Sequence, residues 1–146
     1  MKLPEIQNLK LNQIKEIFVS PQSVSSSAPL SDAASVATGS IPSLAVIVDS
    51  ESRKLAGVIT SIDIARILSA GQQIDPKEPV AHVMNRNVIY IVDDRTIDDA
   101  VNLMNQSSVN NLIVVDANKT PIGIIGRQTL ANEVQTLLAK PSLKST

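Results

Sequence analysis

Leu44-Ala-Val-Ile-Val48-Asp49 and Asn111-Leu-Ile-Val-Val115-Asp116 are one pattern written twice: a short aliphatic, mostly β-branched run closed by an aspartate. Uninterrupted apolar runs of this length, bounded by polar residues, read as strands buried on both faces. A polar turn follows each, Ser50 to Lys54 and Ala117 to Thr120, and then a second apolar run. Leu55-Ala-Gly57-Val-Ile59 stands against Pro121-Ile-Gly123-Ile-Ile125 at a shift of 66 residues. Two strands joined by so short a turn predict an antiparallel hairpin.

The duplication extends in both directions. Upstream, Leu30-Ser-Asp32-Ala33-Ala-Ser-Val36-Ala37 matches Ile97-Asp-Asp99-Ala100-Val-Asn-Leu103-Met104. Apolar residues at i, i+3, i+6 and i+7 mark one face of a helix. Thr96 with Asp99 forms a capping-box pattern, and Pro29 is a tolerable start for the counterpart. Further upstream, Ile14-Lys-Glu-Ile17-Phe18 returns as Val80-Ala-His-Val83-Met84. Downstream, each copy closes with a helix, Ile62 to Ala70 with Gly71 as its C-cap, and Thr129 to Leu138. The expected fold class is therefore α+β: two βαββα repeats, residues 10–71 and 80–138, joined by a linker over 72–79. One such unit leaves an apolar sheet face uncovered, so the copies are expected to pack about an approximate two-fold axis. That arrangement creates two related clefts suited to a small ligand. Ser20 to Ser27 reads as a mobile surface loop, and residues 1–10 and 140–146 as loosely held tails.

Composition narrows the function. Of 146 residues, 43% are apolar, yet Phe18 and Tyr90 are the only aromatics, so the core is aliphatic. A formal net charge of −1 and the lack of stacking platforms argue against a nucleic-acid partner. The absence of cysteine excludes disulfides, thiol catalysis and thiolate metal sites. It fits a reducing compartment, and the cytoplasm is the expected location. No apolar stretch is long and continuous enough for a signal peptide or a membrane span.

Chemistry concentrates at the strand-to-helix junction Gly57-Val-Ile-Thr60-Ser61-Ile-Asp63. Gly57 relaxes the backbone, Thr60 and Ser61 stand at the helix start, and Asp63 falls in its first turn. Backbone N–H groups and the helix dipole there favour an anion such as phosphate. A carboxylate beside them suits the vicinal hydroxyls of a ribose. The competing reading is local: Thr60 or Ser61 caps the helix and Asp63 complements its dipole.

The doubled order, the strands ending in Asp49 and Asp116, and Gly57-x-x-Thr60-x-x-Asp63 resemble the cystathionine β-synthase (CBS) domain family, as a tandem pair over roughly residues 10–138. The resemblance implies a non-catalytic regulatory module. It implies an adenosine ligand (AMP, ADP, ATP, S-adenosylmethionine or NAD) in a cleft between repeats, and no catalytic cofactor. It assigns the ribose to Asp63 and a phosphate or ribose contact to Thr60, next to Ser61. Backbone groups of Val88 and Ile89 would face adenine, and Val109-Asn110-Asn111 the phosphate side. Homodimers and a regulated partner protein are also implied.

The second copy departs from this pattern. Gly126 stands where the hydroxyl belongs and Thr129 where the aspartate belongs, so the second cleft is expected to be empty or weak, with Arg127 still available to a phosphate. Ser43, Asn110 and Asn111 occupy positions where the family often carries His or Arg. With Arg66, Lys54 and Arg127 as the remaining cations, the first cleft is expected to favour an AMP-like or lightly charged ligand over ATP. His82 reads as a solvated helix position, and Asp93, Asp94, Asp98 and Asp99 as turn and helix-start acids. Two alternatives stand beside the sensor. One is a ligand-free pair that only dimerises or docks a partner. The other, a small enzyme, finds no nucleophile–base pair, metal cluster or phosphate loop to support it.

Overall fold

The computed structural model describes residues 1–71 and 73–141. The elements are α1 (Leu3–Gln7), β1 (Ser23–Ser25), α2 (Leu30–Gly39), β2 (Leu44–Val48), β3 (Leu55–Thr60), α3 (Ser61–Ser69), β4 (Tyr90–Val92), α4 (Ile97–Ser107), β5 (Asn111–Val115), β6 (Pro121–Gly126) and α5 (Arg127–Leu138). Short 3-10 turns occupy Leu11–Gln13, Lys15–Ile17 and Val80–His82. The class is α+β, with two three-stranded sheets ordered β1-β2-β3 and β4-β5-β6. In the first sheet β1 runs parallel to β2 (Val24 opposite Ile47), as a crossover through α2 requires. β2 and β3 form the antiparallel hairpin (Val46 opposite Val58). In the second, β4 is likewise parallel to β5, with Ile91 opposite Val114.

The repeat is visible down to single backbone angles. Arg53 and Lys119, 66 residues apart, both turn their hairpins at φ 64°. Asp49 fixes the first turn, its Oδ2 accepting from the Ser52 and Glu51 amides at 2.9 and 3.1 Å and from Ser52 Oγ at 3.1 Å. These donors, the Ser52 amide foremost, hold its carboxyl below the ordinary value. The predicted helices are present, but α3 and α5 begin at Ser61 and Arg127, one and two residues ahead of expectation. Ala70 closes α3 and Gly71 follows in the left-handed conformation at φ 67°.

The chain forms two compact units that are not continuous in sequence. One holds residues 21–88 with 118–121; the other holds 1–20, 89–117 and the described residues from 122 on. The core of the first unit gathers Ala33, Ala37, Ala45, Ile47, Ile59 and Val80, all fully buried. That of the second gathers Ile6, Leu11, Ala100, Leu112, Val114 and Ile125, also fully buried.

Two expectations fail here. Ser20 to Ser27 is not simply a loop, because Ser23–Ser25 is the first strand of its sheet and Val24 is buried. Its serines mask a β-branched centre. Nor is the N-terminal segment loose: α1 places Ile6 in the core, and Lys10 bridges Thr96. A single well-placed isoleucine is a weak sequence signal. Residues 142–146 of the other tail lie outside the described ones.

The duplicated segments ahead of β1 and β4 each lie along a β-strand of their own unit. Val19 bridges Ile124 of β6, and Asn85 bridges Val58 of β3, both antiparallel. A glycine makes room each time. A Cβ on Gly123 would stand 2.6–2.8 Å from Phe18, and one on Gly57 2.7 Å from Met84 Sδ and 2.8 Å from the Asn85 carbonyl. Phe18 and Met84 are themselves 66 residues apart, so Gly57 is explained by close packing rather than by backbone freedom.

Candidate functional site

The junction between β3 and α3 is closed by a reciprocal pair of hydrogen bonds. The Thr60 N–H donates to Asp63 Oδ2 at 2.9 Å, and the Asp63 N–H donates to Thr60 Oγ1 at 3.1 Å. This is a capping box with Asp in the third position, and it holds the aspartate rotamer. The Ser61 N–H donates to the Ser43 carbonyl at 3.1 Å. Two of the first three amides of α3, those of Ser61 and Asp63, thus already have acceptors, which narrows the set of donors open to a phosphate. Asp63 Oδ1 stays outside the capping box, with Arg66 Nη1 4.0 Å away. That guanidinium is 78% exposed, so the pair contributes little. Thr60, Ser61 and Asp63 are all half-buried, accessible from one side.

The equivalent start of α5 is built differently. Gly126 is its N-cap and supplies no side-chain acceptor. The Arg127 N–H donates to the Asn110 carbonyl at 2.8 Å, as Ser61 does to Ser43. The Arg127 guanidinium is engaged, donating to Asn105 Oδ1 at 2.7 Å and to the Val109 carbonyl at 3.1 Å. Beside it lies a concavity of 390 Å³ lined by Asn110, Asn111, Gly126, Arg127, Gln128 and Thr129. No carboxylate lines it.

Thr60, Ser61 and Asp63 meet at one helix start, while Gly57 is buried three residues up the strand under Met84. Val88 is half-buried and Ile89 is 38% exposed just ahead of β4. Asn110 and Arg127 meet in the α5 concavity, and Val109 adjoins it through Arg127. Lys54 does not belong to the first junction. It sits in the hairpin turn at the opposite end of β3, about 20 Å away along six residues of strand. Asn105 and Gln128 were not legible in sequence, because nothing in their spacing marks a polar residue on an exposed helix face.

The remaining candidates resolve into local structure. Asp99 and Thr96 form the capping box of α4, at 3.2 and 3.1 Å. The Thr96 backbone donor is the main reason the Asp99 carboxyl lies below its ordinary value, with Arg95 adding to it. His82 is exposed and contacts Glu78 one turn away. Among the described residues no group of His, Cys, Asp and Glu is placed to hold a metal, and no helix is long and apolar enough to cross a membrane.

With this geometry, the match to known proteins defines the class. The CBS domain family matches residues 14–70 and again 80–136, and the chain belongs to that family as a tandem pair. Uncharacterized protein MJ1232 of Methanocaldococcus jannaschii is 36% identical over 84% of this chain and 38% of its own length. The L-aspartate semialdehyde sulfurtransferase of the same organism is 33% identical over 58% of this chain but only 16% of its own length. The chain thus spans well under half of these curated relatives. Among solved structures, the CBS domain pair of protein MJ0100, in complex with 5′-methylthioadenosine and S-adenosyl-L-methionine, superposes with a TM-score of 0.66. It is 27% identical, covering 85% of this chain and 96% of that one.

Proposed function

We propose that this chain is a non-catalytic regulatory module that binds an adenosine ligand and signals its presence to a partner or attached protein. The observation that carries the reading is Asp63: its Oδ2 and rotamer are fixed by Thr60, and Oδ1 is left to accept from ribose hydroxyls. The CBS pair of MJ0100 supports it as a structural neighbour crystallised with adenosine derivatives. Thr60 and Ser61 belong to the ligand's 5′ side in this reading, and Gly57 shapes the strand that carries them. The contacts attributed to Val88, Ile89, Val109, Asn110 and Arg127 are part of the same proposal. AMP, ADP, ATP, S-adenosylmethionine and NADH are the ligands to screen by calorimetry and thermal shift. A bound ligand whose affinity falls at least tenfold in Asp63→Ala supports the reading; no binding below millimolar, or an unchanged response in Asp63→Ala, ends it.

One observation favours a second reading, a pair that chiefly dimerises or docks a partner. Leu68 and Ile62 of α3 are 77% and 62% exposed, and Leu68 lines an apolar groove with Leu30, Ala34, Ile64, Ile67 and Ile74. Exposed aliphatic surface of this kind favours association, most commonly as a homodimer. Sedimentation of the ligand-free chain measures it. A monomer at all concentrations argues against it, and a nucleotide that co-purifies in stoichiometric amount argues for the sensor.

A further inference from the structure

We infer that Ser27, in the turn between β1 and α2, is a phosphorylation site whose phosphate is received by Arg53 and Lys54 of the adjoining β2–β3 turn. This turn lies at the opposite end of the sheet from the Thr60–Asp63 junction, so the inference is independent of ligand sensing. The same turn is built twice in the chain. The Ser26 N–H donates to the Val48 carbonyl at 2.8 Å, and the Ala28 N–H to the Ser25 carbonyl at 3.0 Å. In the second copy the Asp93 N–H donates to the Val115 carbonyl at 2.9 Å, and the Arg95 N–H to the Val92 carbonyl at 3.1 Å. These bonds fix the register between copies residue by residue. They set Ser26, Ser27 and Ser31 against Asp93, Asp94 and Asp98. At three addresses the second copy carries a carboxylate where the first carries a hydroxyl. The backbone therefore accommodates negative charge at each, and a phosphate on serine supplies that charge reversibly.

Of the three serines, Ser27 is the one a kinase reaches without dismantling the fold. Ser26 is half-buried, its amide bound to Val48 and its carbonyl accepting from the Ala81 N–H at 3.1 Å. The Ser31 amide donates to the Pro76 carbonyl at 3.0 Å within the first turn of α2. Ser27 is exposed, with its amide donating to Ser25 Oγ at 3.3 Å and the two hydroxyls 3.0 Å apart. In the active site of a protein kinase, Ser27 Oγ forms a bond to the γ-phosphorus of a nucleoside triphosphate. The bond from that phosphorus to the bridging oxygen breaks, and its electron pair leaves with the nucleoside diphosphate. The hydroxyl proton passes to a base of the kinase.

The Ser50 N–H donates to Ser26 Oγ at 3.2 Å, which lays the β2–β3 turn against this one. That turn carries Arg53 and Lys54, both exposed. Its carboxylates are Asp49, whose Oδ2 is held by the Ser52 and Glu51 amides, and exposed Glu51. On the other side Ala81 brings the paired Glu78 and His82, and Arg86, whose guanidinium donates to the Ala81 carbonyl at 2.9 Å. A dianion on Ser27 gains charge-assisted contacts from Arg53 and Lys54 that a neutral serine does not make.

Two measurements on the full chain test this. Phosphopeptide mapping of the chain isolated from the cells that make it, with phosphatases inhibited, is expected to find phosphate on Ser27. Ser27 unmodified, or phosphate confined to Ser26 or Ser31, overturns the assignment. Chain made with phosphoserine built in at that position is then titrated by phosphorus NMR. The second ionisation, about 6 in free phosphoserine, is expected about half a unit or more lower, because neighbouring cations favour the dianion. Arg53→Gln with Lys54→Gln is expected to return it to the free value. An ionisation unmoved in the phosphorylated chain, or a shift indifferent to the double variant, overturns the role of the β2–β3 turn.

Discussion

The starts of α3 and α5 occupy the same place in two copies of one unit, yet they satisfy their helix ends by different means. α3 closes on itself through Thr60 and Asp63, while α5 starts at a glycine and opens onto a concavity of 390 Å³. Both keep the bond from the first helical amide to the residue ahead of the middle strand, Ser61 to Ser43 and Arg127 to Asn110. What the duplication conserved is therefore backbone geometry. Side-chain chemistry at the same address diverged, with the carboxylate retained in one copy and a pinned arginine in the other. Scaffold and site are separable here, and they can be perturbed separately.

The largest effects should come from what the copies share. Ile59 and Ile125, 66 residues apart and both fully buried, should each lose about 2–5 kcal/mol on truncation to Ala, measured by urea denaturation. A large inequality between them would show that the two cores are not equivalent. Next come the paired glycines. Gly123→Ala meets the Phe18 ring and Cβ, and Gly57→Ala meets the Asn85 carbonyl, so each should cost about 1–3 kcal/mol. Met84→Ala should relieve part of the Gly57→Ala penalty but leave the Gly123→Ala penalty intact, a test by double-mutant cycle.

Thr60→Ala removes a cap and should cost about 1 kcal/mol in chemical denaturation, whereas α5 has no counterpart to lose. The reverse experiment is sharper. Gly126→Thr with Thr129→Asp writes the α3 box into α5 and should return about 0.5–1 kcal/mol, reduced by crowding where the Asn111 amide oxygen lies 3.3 Å from the new Cβ. If the carboxylate is what the second copy lacks, the same double variant should also raise the calorimetric stoichiometry above that of the parent. The smallest effect concerns acid. The folded Asp99 carboxyl is held below its ordinary value of 3.8 by the Thr96 donor. Its contribution is present above that value and is lost as pH falls through the lower folded one. Asp99→Asn should therefore flatten the stability profile below pH 3.8 and leave its shape near neutrality unchanged, as followed by circular dichroism.

Most of the architecture was legible because buried strands write themselves as uninterrupted apolar runs, and because Leu44–Val48 and Asn111–Val115 appear at matching offsets. β1 was not, since three residues with one inward valine carry too little periodicity to separate a strand from a serine loop. α1 was missed for a similar reason: Ile6 is its only fully buried residue. At the junction, sequence gave Thr60 and Asp63 but left capping and binding open. The bond lengths show the capping, and the Oδ1 outside it is what keeps the ligand reading alive. Lys54 was misplaced because sequence proximity to Gly57 says nothing about which end of a strand a turn occupies.

The antiparallel bridge between Val19 and Ile124 ties the opening segment of one compact unit to that same unit's last strand. During synthesis Val19 must wait for about a hundred further residues before its strand partner exists, so the unit they share cannot finish folding until β6 has emerged. Cutting the gene between the repeats would therefore be expected to yield two incomplete pieces that recover only when mixed, each supplying the strip of chain the other lacks.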